Sequence, residues 1–462
     1  VAGARVIIIL RDAKLGIPEI LSKEYIIDKR GGIIVAELPL ELLKALSEES
    51  NIKHIDKPSP LFPDLDDALK WSGAENLISQ NLENQNPGFG NLDGNGVLIG
   101  ILDSGINYLH PDFSHESENG LETIIEGIWR SDELQWNRGQ INSALNSDNP
   151  QDIVPHLDDP IGHGTLVASC AASTGRGSNY RGVAPKAGLL IAAPNSFGNL
   201  ETANSNNAYL NALSWFDSKS AELNKPIVIN ISKGSNAGPR DGSLPFEAYL
   251  DALIESNPAM VICKTAGNHA NKKHHAQGNA KIDLEDSSHP TILIDQEIRS
   301  FELDIWYEAV DHFTLQLIDP NGNSSPQIVE TTQNQVLFHF NNENPDNDDI
   351  NIFLSYESEN VTLNGAKHFH LLFNLRNGVN SLIQGQYQIK IIPVEAGLAP
   401  SGNYHCWLDW TGFSTRSSME FLEPHLSSNS TLNAGACAQH PIIVGNWEDD
   451  TGLLHENSSK GP

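Results

Sequence analysis

Three polar residues stand where apolar runs begin or end: Asp103, His163 and Asn268. His163 lies in Ile161-Gly-His-Gly-Thr165, which feeds the run Leu166-Val-Ala-Ser-Cys-Ala-Ala172. Gly162 and Gly164 let the backbone pass close on either side of the imidazole, and Thr165 helps close a helix start. The run behind them is small and nearly all apolar, so it reads as a core helix without a polar face. An imidazole at the lip of such a helix is held by packing, as a general base must be. Asp103 ends the run Gly96-Val-Leu-Ile-Gly-Ile-Leu102, which has the look of a buried parallel strand. The position just past the carboxyl end of such a strand is where open α/β sheets place their ligands. Asn268 follows Met260-Val-Ile-Cys263 and Lys264-Thr-Ala-Gly267, behind a glycine that permits close backbone approach. Taken singly, a helix-start histidine and a turn aspartate are commonplace. The ordered set of strand-Asp, Gly-His-Gly-Thr-helix and strand-Ala-Gly-Asn is far more specific.

The elements that must position these groups alternate between strand and helix over residues 64–280. Leu189 to Ala193, Pro226 to Asn230 and Met260 to Cys263 read as further buried strands, and Ala208 to Glu222 and Pro245 to Glu255 as covering helices. That alternation calls for a parallel sheet covered on both faces. Ser114 to Asp158 is more polar and reads as surface loop with one short strand near Ile124 to Trp129. Residues 281–412 change character. Short alternating runs separated by turns such as Asp319-Pro-Asn-Gly322 predict an inserted β-sandwich or jelly-roll. Trp306, Trp407 and Trp410 are expected to pack in that sandwich rather than offer a carbohydrate-stacking face. The α/β pattern resumes over 413–462. Residues 1–60 form a small α+β pattern, with strands at Arg5 to Leu10, Gly31 to Glu37 and Ile52 to Asp56 and a helix over Pro39 to Leu46.

With 59 acidic against 29 basic residues the net charge is −30, which argues against nucleic-acid or anionic-membrane partners and for a soluble protein. No apolar run is long enough to span a bilayer. The cysteines at 170, 263, 406 and 437 have no metal-ligand spacing; Cys170 and Cys263 are expected to be buried thiols, and no disulfide is implied. No cofactor is expected. His269, His274 and His275 match no zinc pattern, and acidic stretches such as Asp346 to Asp349 could bind calcium but lack the ligand order of a calcium loop, so calcium is left open without being indicated.

The chain resembles the subtilisin-like serine peptidases, through Gly100-Ile-Leu-Asp-Ser-Gly105, Gly162-His-Gly-Thr165, Gly182-Val-Ala-Pro-Lys-Ala187, Val228-Ile-Asn-Ile-Ser232, Ala266-Gly-Asn268, Ile442-Ile-Val-Gly445 and Ser458-Ser-Lys-Gly-Pro462. It is most similar to the Csp-type germination peptidases, which carry a propeptide in front and a jelly-roll inserted before the serine. The resemblance implies a general base at His163, a tautomer-fixing carboxylate at Asp103 and an oxyanion donor at Asn268. It implies that a polypeptide substrate lies as an added strand along Ser232-Lys233-Gly234. Residues 1–60 would be a propeptide whose tail occupies the groove, with self-cleavage near Lys57 to Pro63. Leu166 and Ser169 depart from the family's usual His and Gly, and Lys233 from its usual Leu.

The family's nucleophile lies in a Gly-Thr-Ser motif beyond the Ser-Ser-Lys-Gly-Pro element, and no Gly-Thr-Ser occurs in these 462 residues. Ser458 and Ser459 match the loop before that motif and read as turn serines. The expectation is a serine endopeptidase in zymogen form whose serine follows Pro462; the alternative is a non-catalytic relative serving as a binding or sensing scaffold.

Overall fold

The computed structural model describes residues 3–56 except 12–13, 15, 19, 31–32 and 48; Ser72 and Ala74; and 92–461 except 133, 157–161, 178–179, 195–205, 237, 282–288, 299, 331–335, 339–349, 358–364, 376–381, 395–398, 411–418 and 449–451. The acidic stretch at 346–349 lies outside the described residues. The chain divides into two compact units, Val1–Asp67 and Ala68–Pro462.

The first unit is a four-stranded antiparallel sheet in the order Ile26–Arg30, Ile33–Pro39, Gly3–Leu10, Ile52–Asp56, with the helix Leu40–Ser47. Ile33–Pro39 and Ile52–Asp56 both pair antiparallel with Gly3–Leu10. The helix therefore joins two mutually parallel strands with a third between them, a split βαβ unit. Ile8, Ile34, Ala36, Leu38, Leu46 and Ile52 form its core. The strand Ile26–Arg30 had no clear signal in the sequence, because its polar half, Asp28 to Arg30, dilutes the alternation.

The second unit is built on a seven-stranded sheet in the order Ile442–Val444, Met260–Thr265, Ile227–Ile231, Leu98–Leu102, Gly188–Ala193, Ile125–Arg130, Gln135–Asn137. All pairings are parallel except the last. The apolar runs are continuous because both faces are covered. Leu98, Leu102, Leu190 and Ala192 face one core, shared with Phe216 and Leu250. Ile101, Leu189 and Ile191 face the other, shared with Ala168 and Ala172. Gly100 leaves room for the helix Asn206–Leu223 to pack closely on the sheet, since a Cβ there would lie 3.1 Å from the Phe216 ring.

Among the described residues of 114–158, strands and a helix replace the expected surface loop. They include the hairpin Ser114–Ser117/Gly120–Thr123, two strands of the main sheet and the helix Arg138–Leu145. Trp136, Ile141 and Ala144 are buried beneath the polar residues that had masked the pattern. Asn137 caps that helix in a full capping box with Gln140.

Two antiparallel sheets, of six and five strands, share one core that takes Phe301, Leu303 and Ile305 from the first and Leu315, Leu317, Ile389 and Ile391 from the second. These sheets take in His275–Asn279 and Met419–Phe421, outside the 281–412 span read from the sequence. Both flanking strands are short, and His-Ala-Gln-Gly-Asn has no apolar alternation to reveal it. The sandwich's two ends meet: the Phe421 amide donates to the Lys273 carbonyl at 2.8 Å, and Ser427 to His275 at 3.0 Å. Trp306 and Trp407 are buried, but on the face of the six-stranded sheet away from the shared core. Their indole N–H groups donate to Asp304 Oδ2 and to the Ser430 carbonyl.

His274 and His275 are buried at the root of the sandwich. Burial pushes the first down to about 4. Burial, with His405 and Arg240 nearby, pushes the second down to about 3. The His275, His405 and Trp407 rings cluster with near-parallel planes, their centres 4.9 to 5.4 Å apart pairwise, and His275 Nε2 is 3.0 Å from His405 Nδ1. The unfolded chain takes up these protons near pH 6.5 and the folded one does not. Stability is therefore full above pH 6.5 and falls as the pH drops towards 4, by about 2 kcal/mol per histidine at pH 5. Urea unfolding at pH 7 and pH 5 should show this loss, and His275→Gln should shrink it by about one proton's share.

Candidate active site

From Leu98–Leu102 the chain steps to one side of the sheet for Ile125–Arg130 and Gly188–Ala193, and then to the other side for Ile227–Ile231 and Met260–Thr265. The order reverses between Leu98–Leu102 and Ile227–Ile231, and the crevice at their carboxyl ends is the natural ligand site of such a sheet. Asp103 and Ser232 emerge there side by side, because Leu102 and Ile231 are paired.

Asp103 is fully buried. Its Oδ1 accepts the Ser104 backbone N–H at 2.7 Å and lies 2.8 Å from His163 Nδ1. A carboxylate in that position selects the tautomer with the proton on Nδ1, which leaves Nε2 with a free lone pair. His163 opens the helix His163–Ala172, and Gly162 supplies the left-handed residue before it at φ 72°. Gly164 sits against Gly105, where a Cβ would be 2.2 Å from the Gly105 carbonyl oxygen. The Gly164 amide donates to Ser104 Oγ at 2.8 Å, and the Asn107 amide to Thr165 Oγ1 at 2.8 Å. Helix and loop are thus clamped together on both sides of the Asp103–His163 pair.

The helix is not buried all round. Gly164, Ala168 and Ala172 face the core, whereas Leu166 is 62% exposed and Cys170 is exposed. Cys263 is half-buried. The absence of polar residues misled because the face towards the sheet needs small side chains, and the opposite face is apolar without being covered. The His163 side chain itself is 45% exposed, so its ring is both anchored and accessible.

Ser232, Lys233 and Gly234 follow Ile227–Ile231, and Asn230 Nδ2 donates to Ser232 Oγ at 2.8 Å. Asn268 is exposed and follows Met260–Thr265, one strand further out. No hydrogen bond joins it to the Asp103–His163 pair among the described residues. Sequence reasoning missed Asn433, a buried side chain that fills the space beside both Gly234 and Gly267. A Cβ on either glycine would lie within 2.7 Å of it. Its backbone N–H donates to the Ala266 carbonyl at 2.8 Å. The segments 232–234 and 266–268 therefore share one spacer. Only the glycines in both motifs hinted at it.

The serines near the end of the chain are occupied. Ser458 Oγ accepts the Asn446 N–H and Ser459 Oγ the His269 N–H, both at 3.0 Å, and both residues are buried. Ser459 also donates its backbone N–H to the Gly267 carbonyl at 2.9 Å. Ser459 thus braces the Asn268 loop, and Ser458 the backbone at Asn446.

A parallel sheet whose switch point carries an aspartate hydrogen-bonded to a helix-start histidine defines a subtilisin-like α/β fold. Residues 94–388 match the model of the subtilase family, and the chain belongs to that family. Among solved structures it is similar to the CspB protease of Clostridium perfringens, at 24% identity and a TM-score of 0.66, covering 84% of this chain and 76% of that one. Fervidolysin from Fervidobacterium pennivorans, a keratinolytic enzyme related to subtilisin, aligns at 16% identity and a TM-score of 0.30, covering 58% of this chain and 40% of that one. No helix among the described residues is long and apolar enough to cross a membrane.

Gly164→Ala should push the histidine helix away from the Asp103 loop. Expected is a loss of about 1–3 kcal/mol in thermal or urea unfolding, the usual cost of overpacking. Ala168→Gly, on the same buried face, should lose helix propensity and one buried methyl, about 2 kcal/mol together, without displacing the helix.

Proposed function

We propose that this protein is a serine endopeptidase that hydrolyses peptide bonds through an Asp103–His163–serine triad. The observation that carries this is the 2.8 Å hydrogen bond between a buried carboxylate and a half-exposed imidazole at the sheet's switch point. In this reading the attacking serine is supplied by chain that follows Pro462. His163 Nε2 takes the hydroxyl proton as the serine oxygen attacks the substrate carbonyl. Asp103 holds the ring and stabilises the imidazolium. Asn268 donates its side-chain N–H to the tetrahedral oxyanion. The imidazolium then protonates the leaving amine, and water repeats the sequence on the acyl-enzyme.

The substrate lies along Ser232-Lys233-Gly234 as an added strand, so that main-chain hydrogen bonds supply affinity and side-chain pockets supply specificity. Residues 1–60 act as a propeptide that keeps the enzyme a zymogen until the 57–63 stretch is cut. The catalytic domain runs from residue 64 to about residue 274 and resumes after Phe421, interrupted by the sandwich.

The reading frame continued past Pro462 should encode a Gly-Thr-Ser followed by an apolar helix. The full-length protein should react with a fluorophosphonate probe, and His163→Ala should abolish the reaction. A full-length wild-type protein that takes no probe would instead be a binding scaffold. Asn268→Leu should lower kcat by about 10²–10³-fold, the general cost of losing one oxyanion donor.

Lys233 places a cation on the substrate edge, which favours an acidic substrate side chain beside it. Glu-containing peptides should be cleaved faster than Leu-containing ones, and Lys233→Leu should erase that preference. An unchanged ratio of kcat/KM values would remove the role assigned to Lys233.

A further inference from the structure

The segment just after the proposed substrate edge is held by the sandwich. The Asn236 backbone N–H donates to Asp409 Oδ2 at 2.7 Å, and its side-chain amide donates to the Leu408 carbonyl at 2.8 Å. The Gly238 amide donates to Asp304 Oδ2 at 2.8 Å. Arg240 folds back over the same turn. Its Nη1 donates to the Gly238 carbonyl at 2.5 Å, and its Nη2 donates to the Asn236 carbonyl at 2.6 Å and to Asn236 Oδ1 at 2.7 Å. The guanidinium lies 4.8 Å from the centre of the Trp407 ring. On the near side, the Ala434 N–H donates to the Ser235 carbonyl at 3.0 Å.

The groups doing this come from one face of the six-stranded sheet. Along Ser300–Tyr307, Phe301, Leu303, Ile305 and Tyr307 enter the sandwich core, which leaves Asp304 and Trp306 on the other face. Along Asn403–Trp410, Tyr404, Cys406 and Leu408 enter the core, which leaves His405, Trp407 and Asp409. Such a face would ordinarily meet water, yet Asp304 is only 2% exposed and Trp407 1%. A carboxylate so placed is tolerable only if its oxygens are bonded. Asp304 accepts from Gly238, the Trp306 indole and His368. Burial pushes this carboxyl up, but His368 and the Gly238 N–H hold it at about 2. A loop that merely joined the Ile227–Ile231 strand to the Pro245–Ser256 helix would require neither the buried carboxylate of Asp304 nor the buried guanidinium of Arg240.

We propose that Asp409 and Asp304 are positioning residues for substrate binding, fixing through Asn236, Gly238 and Arg240 the edge Ser232-Lys233-Gly234 on which the substrate strand lies. The inference rests on the peptidase reading. An added strand needs edge N–H and C=O groups already in register, and a loose edge makes each substrate order it on binding. Such a loss weakens ground state and transition state alike, so it raises KM and spares kcat.

The test compares Asp409→Ala, Asp304→Asn and Asp409→Asn with Asp319→Ala in the full-length protein. Asp319 caps the 319–323 turn in the other sheet, accepting from Asn321 and Asn323, and controls for weakening of the sandwich itself. Expected are a roughly tenfold rise in KM for a peptide spanning the cleft in Asp409→Ala, a kcat within about threefold, and unchanged labelling by a small fluorophosphonate. Asp409→Asn, which keeps an acceptor, should restore most of the KM. In the 462-residue chain, amide hydrogen exchange at 232–236 should quicken about tenfold in Asp409→Ala, less in Asp304→Asn, which keeps one acceptor oxygen, and stay at the wild-type rate in Asp319→Ala. Unchanged exchange in Asp409→Ala overturns the inference, and so does an equal KM rise in Asp319→Ala. A wild-type protein that takes no probe counts against the peptidase reading, and the exchange comparison then decides alone whether the sandwich fixes this edge.

Discussion

The close approach of two backbones at Gly105 and Gly164 is the constraint on which the site depends. Asp103 comes from a strand end and His163 from a helix start 60 residues later. They can share a hydrogen bond only if helix and loop touch with nothing between them. Glycine at 164 removes the Cβ that would stand in the way, and Ser104 and Thr165 replace it with hydrogen bonds from the facing backbone. Of the buried carboxylate, Oδ1 meets both the Ser104 N–H and the imidazole, whereas Oδ2 has no hydrogen-bond partner among the described residues.

Much of this could be read from the residues before any coordinates. The parallel sheet was legible because its strands are covered on both faces and so read as unbroken apolar runs. The Asp103–His163 pair was legible because strand-Asp and Gly-His-Gly-Thr require each other in this order. What escaped was whatever lacked a period. The polar segment 114–158 hides two sheet strands because their buried residues are spaced among charges. The His163 helix looked entirely buried because composition cannot say which side of an apolar helix meets the sheet. Asn433 was invisible, since an asparagine serving as a spacer between two glycines has no local signature.

The sandwich has a second face that its own core does not explain. Alternation along Ser300–Tyr307 and Asn403–Trp410 sends aromatic and aliphatic residues inwards, and sends Asp304, His405, Trp407 and Asp409 to the opposite side. There they meet Asn236, Gly238 and Arg240 and the ring of His275. Binary pattern reading takes polar residues on a sheet to mean water. Here they mean another part of the same chain.

The meeting of the sandwich's two ends bears on how the chain folds. Ile442–Val444 must pair with Met260–Thr265, although the whole sandwich lies between them in sequence. If the sandwich forms first, the bond from Phe421 to Lys273 brings its entry and exit together. The search for that parallel pairing then closes a loop several times shorter, a saving of about 1.5 kcal/mol in chain entropy. A domain that interrupts the sheet in sequence would in that order act as a splint for the strands on either side of it.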